Sequence, residues 1–311
     1  MEDFVASEDP IDRELIRELS ERSDAKGLRH LAAHLALLAV TGTLVWLSLG
    51  VWWLMLPAMM VHGIVVAFLF CFHHEMIHRT AFKSRRLNDW IALVTGFLVF
   101  YPAYYFRLFH YAHHRYTQDP ERDPELVVPA PSTAGAYVWW SIGIPYWHRR
   151  FGTSFIHAFT ARAKQPFVRD REVAACVTEA RWMWAGYILI AVASIVFESW
   201  VAVVYWFGPI LLGQPWLRLY LMAEHNGCAQ GDSMIANSRT TLTNPLIRLI
   251  AANMPYHTEH HVYPLVPFHA LPALHEEMKP FIQVLGHGYI DVHRGLWQSR
   301  RRRHEAALST S

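Results

Sequence analysis

Cysteine is scarce. The chain of 311 residues has three, Cys71, Cys176 and Cys228, far apart and in no C-x-x-C pair. That excludes a disulfide framework, a zinc ribbon and a built-in iron–sulfur or rubredoxin centre. Charge is scarce too, at 17%, against about a quarter in an ordinary soluble chain. Met1 to Ala25 is acidic and polar, so it lacks the apolar core of a cleavable signal peptide. No separate soluble domain stands out, and no repeat beyond a histidine pattern. What is present is apolar residues at 53%, aromatics at 14% with 13 Trp, and 20 His. This composition is that of a membrane protein with a sizeable cytosolic part.

A membrane helix needs about 20 apolar residues. Leu31 to Leu49 and Val51 to Phe72 meet this and predict a hairpin turning near Gly50. Trp182 to Phe197 and Ser199 to Leu212 predict a second, turning near Glu198. Asn88 to Phe106 is also apolar, and reads as re-entrant or interfacial. Pro102 breaks it, with Trp90 and its tyrosines at headgroup depth. Ala134 to Trp147 reads as a shorter interfacial stretch, and Asp9 to Arg22 as a short amphipathic helix capping the cytosolic side. The two hairpin turns carry no Lys or Arg, whereas residues from Arg79 through Arg181, then Arg218, Arg239, Arg248 and Arg300 to Arg303, fall on the other side. By the positive-inside rule that side is the cytosol. The expected fold is an all-α membrane protein with four transmembrane helices as two hairpins, interfacial or re-entrant helices, and a cytosolic histidine-rich cap. It forms one membrane-embedded domain over 1–311: a cytosolic N-terminal segment at 1–28, hairpins at 31–72 and 182–221, and a cap and tail at 222–311. Both termini are expected in the cytosol.

Three histidine clusters fall on the cytosolic side of this topology. His74-Glu75-Met76-Ile77-His78 reads H-x-x-x-H; His110-Tyr111-Ala112-His113-His114 and His257-Thr258-Glu259-His260-His261 both read H-x-x-H-H. Positions i, i+3 and i+4 share a helix face, so each cluster can point several imidazoles one way, as a metal site requires. Imidazole suits zinc, iron, copper and nickel. Eight histidines exceed what one ion with open positions needs and suffice for two. His225, single, sits where the fourth expected span returns to the cytosol, between Glu224 and Asn226. The remaining histidines read as structural. His30 and His34 are interfacial, His62 packs or hydrogen-bonds inside the bundle, His73 is off the ligand face, and His269 and His275 follow the last cluster. Gln118 to Pro124 reads as a proline-rich turn with capping carboxylates, with at most a minor supporting role for Asp119 or Asp123. Tyr101, Tyr104, Tyr105, Phe106 and Phe109 read as an aromatic belt, with a substrate channel as the alternative.

These clusters resemble the integral-membrane fatty acid desaturase and alkane hydroxylase superfamily, whose three histidine boxes occur in this order. Tyr256 to Pro264, followed by Leu271-Pro272-Ala273-Leu274-His275, is similar to the last box and tail of acyl-lipid desaturases. Glu224-His225 resembles the Glu-His element of membrane alkane hydroxylases. The resemblance implies two iron ions held by nine histidines: His74, His78, His110, His113, His114, His225, His257, His260 and His261. It implies an oxidoreductase using dioxygen as co-substrate on a lipid or fatty acyl substrate in the bilayer. Desaturation is expected. Hydroxylation or ketolation of an aliphatic or isoprenoid lipid on the same site is the alternative. Electrons would come from an external donor such as ferredoxin or rubredoxin with its reductase, and nucleic acid has no part. Two other readings rest on the residues alone. His74-Glu75-Met76-Ile77-His78 also matches H-E-x-x-H, the motif of zinc metalloproteases, in which Glu75 would be the base. A non-enzymatic metal-binding or transport protein would instead place its ligands deep within the spans.

Overall fold

The computed structural model describes residues 10–127, 131 and 133–309, the last ten without their side chains. The expected charges at Arg300 to Arg303 therefore lie outside the described side chains, as do residues 1–9. In chain order the helices are α1 (Arg13–Leu19), α2 (Asp24–Leu47), α3 (Trp52–His78), α4 (Arg85–Leu98), α5 (Ala103–Tyr116), α6 (Ala134–Ser141), α7 (Ile144–Thr160) and α8 (Asp170–Val196). They continue with α9 (Gly208–His225), α10 (Met234–Asn237), α11 (Pro245–Ile250), α12 (His257–Val262), α13 (Leu271–Met278) and α14 (Tyr289–Ser309). Two residue pairs, β1 (Thr240–Thr241) and β2 (Leu285–Gly286), run parallel. The chain divides into two compact units. The first comprises Ser23–His110 and Ile144–Leu217; the second comprises Tyr111–Gly143, Arg218–Ser311 and Met1–Arg22, so far as these are described.

In the first unit α2 and α3 form the expected hairpin, turning at Gly50 (φ 82°), and α3 runs on without a break through His78. Trp46, Trp52 and Trp53 stand exposed around the turn, as do Trp182, Leu189, Ile195 and Phe197 along α8. Large apolar side chains facing outward are unfavourable in water and favourable in lipid. His62 is buried in this unit as expected. Its Nε2 lies 3.0 Å from the Tyr205 carbonyl, and its Nδ1 lies 2.8 Å from the Thr41 hydroxyl. A carbonyl only accepts, so Nε2 carries the proton and Nδ1 accepts from Thr41. Tyr205 belongs to a π-helical stretch, Val203–Phe207, where a wider turn disturbs the ordinary backbone ladder.

Among the described residues, α2, α3 and α8 are each long and apolar enough to cross a membrane. The α4–α5 pair adds a fourth only if counted as one span, and it is bent by 98°. The bend falls where Pro102 placed it, and Phe100 there takes a positive φ of 58°. The expected second hairpin differs in two ways. α8 begins at Asp170, earlier than Trp182, and packs chiefly on α7. The run after Glu198 (φ 49°) is helical, but α9 is not among the helices apolar and long enough to span. Gly208, Gly213, Gln214, Pro215 and Arg218 dilute its hydropathy.

The aromatic belt needs correction. Tyr101, Tyr105 and Phe106 are buried, with Phe106 stacked on Tyr101 at 4.1 Å and packed on Phe70 at 5.2 Å. They form core of the first unit, because the bend after α4 turns this side of α5 inward; Trp90 alone of the expected belt is fully exposed. Glu179 of α8 reaches the start of α5 and accepts the Tyr104 N–H at 2.8 Å. A helix start leaves such N–H groups without helical partners, so a membrane helix supplies the cap of a histidine-bearing one.

In the second unit β1, β2, α10, α12, α13 and α14 pack around the last histidine cluster. The short amphipathic helix expected near the N-terminus is α1, and Ile11 just before it donates its N–H to the Tyr263 hydroxyl at 3.1 Å. His293 of α14 bonds the Tyr137 hydroxyl and the Leu219 carbonyl, which ties α14 to α6 and the end of α9.

Candidate metal centre

The first unit gathers His74, His78 and His110. His74 and His78 are i, i+4 in the last turns of α3, and their rings lie 4.9 Å apart. His110, on α5, faces both: its Nε2 is 2.6 Å from that of His74, and its ring is 4.9 Å from that of His78. The ring nitrogens of the three lie within 4.8 Å of one another. Phe106 covers one side of the group, with its ring 5.4 Å from His110 and 6.4 Å from His74. Glu75 is fully buried, and one of its carboxylate oxygens accepts from the Thr80 hydroxyl at 2.9 Å.

The second unit gathers the rest. α5 continues here with His113 and His114, α9 ends in His225, and α12 carries His257, His260 and His261. His113, His225 and His261 present ring nitrogens within 4.8 Å of one another, and all three are buried. His225 Nε2 is 3.2 Å from His113 Nε2 and 2.9 Å from His257 Nε2. His114 Nε2 is 3.1 Å from His260 Nε2, and the His114 ring stacks on His261 at 4.2 Å. All nine histidines singled out in the sequence are thus buried and fall in these clusters.

Hydrogen bonds on the far side of the rings decide what the near side presents. His225 Nδ1 bonds the Asn237 carbonyl at 2.9 Å, and a carbonyl only accepts, so Nδ1 carries the proton. His113 Nδ1 lies 3.0 Å from an Asp123 carboxylate oxygen. The neutral His225 ring so held turns a bare Nε2 toward His113 and His257. Against the pull of burial, the Glu125 and Asp123 carboxylates raise His113 to about 9, so its ring keeps a proton unless a metal ion displaces it. Among the described residues, His261 Nε2 is buried with no hydrogen-bond partner. Lone pairs facing lone pairs repel, and a proton or a metal ion between them removes the repulsion. Two imidazoles on one ion at ~2.1 Å would have nitrogens about 3.0–3.4 Å apart, close to the spacings found. The residues therefore fit a metal ion, and the donor set is one that iron accepts.

Burial pulls His225 down to about 3, with the neighbouring His113 adding to the shift, so its ring is neutral as a ligand must be. Burial would raise the Asp123 carboxyl, yet the His113 imidazole and the Glu125 and Gln118 N–H groups hold it below the ordinary carboxylate range. Burial, with Glu125 close by, pushes Glu224 well above its ordinary range; its Oε1 is 3.5 Å from His257 Nδ1.

Asp123 is the residue that sequence reasoning undervalued. Its neighbour Asp119 does what the turn predicts and caps Glu121 and Arg122 through their N–H groups. Asp123 instead folds under the turn, where Gln118 takes a positive φ of 63°, and meets a histidine. The paired Asp-Pro steps were the available signal. Glu259, inside the last cluster, points away from it: one oxygen bonds Thr240 and the other His275. That contact explains the structural role read for His275 and locks α12 to β1 and α13. Asp123→Ala should lower metal retention and product formation about 10–100-fold, as loss of an imidazole's orienting partner usually does. Asp119→Ala should leave both near wild type; metal per chain after dialysis and product assay check the pair.

A family model for fatty acid desaturases matches residues 50–293. The chain belongs to the fatty acid desaturase family. It is 23% identical to an sn-1 oleoyl-lipid 12-desaturase of Picosynechococcus sp. (strain ATCC 27264 / PCC 7002 / PR-6), over 61% of this chain and 56% of that one. It is 26% identical to a dihydrorhizobitoxine desaturase of Bradyrhizobium elkanii, over 90% of this chain and 82% of that one. The chain thus covers little more than half the length of the first of these relatives. Family membership and the apolar helices support a multi-pass membrane oxidoreductase, and the histidine clusters support a metal-dependent one.

Proposed function

We propose that this chain is a membrane di-iron oxidoreductase that desaturates a fatty acyl chain, using dioxygen and electrons from an external donor. The observation that carries this reading is the turning of buried imidazole nitrogens toward one another in a desaturase-family chain. The ligand set is His74, His78, His110, His113, His114, His225, His257, His260 and His261, shared between two irons. Iron bound there would supply the oxidising power that takes hydrogen from an unactivated C–H bond. The protein's part is orientation and exclusion of water. The Asn237 carbonyl holds His225 in the tautomer that leaves Nε2 bare, and Asp123 orients the His113 ring. Phe106, backed by Tyr101 and Phe70, covers one side of the His74–His78–His110 group with apolar surface. The acyl chain would reach the site from the bilayer, and desaturation rather than hydroxylation would follow from where its carbons rest. The distribution of Lys and Arg supports a site and termini on the cytosolic side. The same basic surface suits an acidic ferredoxin or rubredoxin.

A second reading keeps the reaction and changes the substrate. The dihydrorhizobitoxine desaturase aligns over more of both chains than the lipid desaturase does, which favours a desaturated group outside the lipid acyl pool. One experiment separates the readings. The wild type and His260→Ala are expressed with iron supplementation, metals are measured by elemental analysis, and lipid and soluble extracts are compared by mass spectrometry. About two irons per chain, fewer in the variant, with a lipid losing two hydrogens only in the wild-type host, is the expected result. The same loss in a soluble product moves the assignment to the second reading, and a gain of one oxygen makes the enzyme a hydroxylase. One zinc unchanged by the substitution sinks the di-iron reading and moves Glu75, with His74 and His78, to the centre.

A further inference from the structure

Just beyond His78, α3 ends in a residue with an unusual backbone. Arg79 takes a positive φ of 61° at the helix C-cap. This left-handed conformation is normally left to glycine or asparagine at helix ends. A strained residue persists where something over-determines it, and here its side chain is committed. Arg79 Nε and Nη2 fork the two carboxylate oxygens of Asp89, at 2.8 and 3.1 Å. Such a bidentate pair fixes geometry as well as energy. Asp89, on α4, also accepts from Arg107 Nη2 at 3.0 Å. Arg107, on α5, uses its Nε to bond the Ile77 carbonyl at 2.9 Å. That carbonyl lies in the last turn of α3, where carbonyls have no helical N–H to accept from.

The positions matter more than the count. Ile77 directly precedes His78, and Arg107 sits one turn before His110 on the same helix. Arg107 therefore ties the end of the His74–His78 helix to the start of the His110 turn. Asp89 holds Arg107 and Arg79 together, so three helix ends share one carboxylate. Arg107 is mostly buried, with 13% of its side chain exposed, so water competes little for these bonds.

We infer that Arg79, Asp89 and Arg107 form a clamp that positions His74, His78 and His110 relative to one another for metal binding. They are positioning residues and none of them is a ligand. The inference rests on the reading that these three histidines hold iron.

The test uses purified, iron-loaded full-length protein and a ferrous-iron chelator. Iron release is timed for wild type, Arg79→Gly, Asp89→Asn, Arg107→Lys and His78→Ala, and the thermal midpoint of each metal-free form is recorded. Glu172→Gln, which breaks the Arg169–Glu172 pair near the start of α8, is the control. Arg79→Gly discriminates most sharply. Glycine relieves the strained φ but removes the fork to Asp89, so a merely structural role predicts a changed midpoint with unchanged release. The clamp predicts release about tenfold or more faster in Arg79→Gly, Asp89→Asn and Arg107→Lys, with the control like wild type. Lysine fails because one ammonium cannot reproduce the fork that spans Asp89 and Ile77. Wild-type release from Arg79→Gly, with His78→Ala losing iron, overturns the clamp and leaves the metal reading standing. Should Asp89→Asn not fold, Arg79→Gly and Arg107→Lys decide alone. Unchanged iron in His78→Ala overturns the metal reading, and the clamp with it.

Discussion

Alanine at His261 should cut bound iron and abolish product formation, a loss of more than about a hundredfold, while the metal-free protein stays folded. Among the described residues, its Nε2 is buried without a hydrogen-bond partner, and its Nδ1 bonds the Thr117 hydroxyl at 3.3 Å. Removing the ring therefore breaks a single long hydrogen bond, and the cavity it leaves lowers the apo midpoint without unfolding the protein. His275→Ala should do the reverse. His275 bonds the fully buried carboxylate of Glu259, and removing it leaves that oxygen unsatisfied. An unsatisfied buried acceptor costs about 1–3 kcal/mol, more if charged. The two variants, compared by iron per chain and thermal midpoint, separate a ligand from a structural histidine only fourteen residues away in sequence. Equal effects on iron from both would refute the assignment of His261.

The second large effect is on assembly of the first unit. Gly63 of α3 lies against α9 so closely that an added Cβ would meet the Pro209 carbonyl oxygen at 1.8 Å. A Cβ on Gly213 would meet the Gly63 carbonyl at 2.0 Å. Both obstacles are backbone, so no side chain can swing aside. Small residues permit this kind of contact between membrane helices. Gly63→Ala should lower the thermal midpoint sharply or abolish a monodisperse product, beyond the ~1–3 kcal/mol typical of overpacking. Gly152→Ala, on α7 with open space around the added Cβ, should be neutral or stabilise by up to ~1 kcal/mol. Size-exclusion profiles after a temperature ramp measure both. A Gly63→Ala protein with the wild-type midpoint would show that the helices separate readily.

The first hairpin was legible because hydropathy over about twenty residues is a local property, and Gly50 marks its turn. The histidine clusters were legible for the same reason, since i, i+3 and i+4 lie on one helix face whatever else the chain does. Pro102 announced the bend between α4 and α5. The second hairpin was less so, because α9 mixes apolar residues with glycine, glutamine, proline and arginine and is not apolar enough to count as a span. The burial of Tyr101 and Phe106 was missed because an aromatic residue reads alike at a headgroup and in a core.

The sequence alone determined the helical membrane character, the three histidine clusters and the family they belong to, since each is written in short-range spacing. Tertiary structure alone decided the partners. His113 meets His225 across 112 residues, Asp123 turns under its loop to reach His113, Glu259 faces His275 instead of the other histidines, and Arg79 closes on Asp89. Those contacts depend on how helices pack and where turns aim a side chain. Spacing along the chain sets which face of a helix a residue occupies; only packing sets what that face meets.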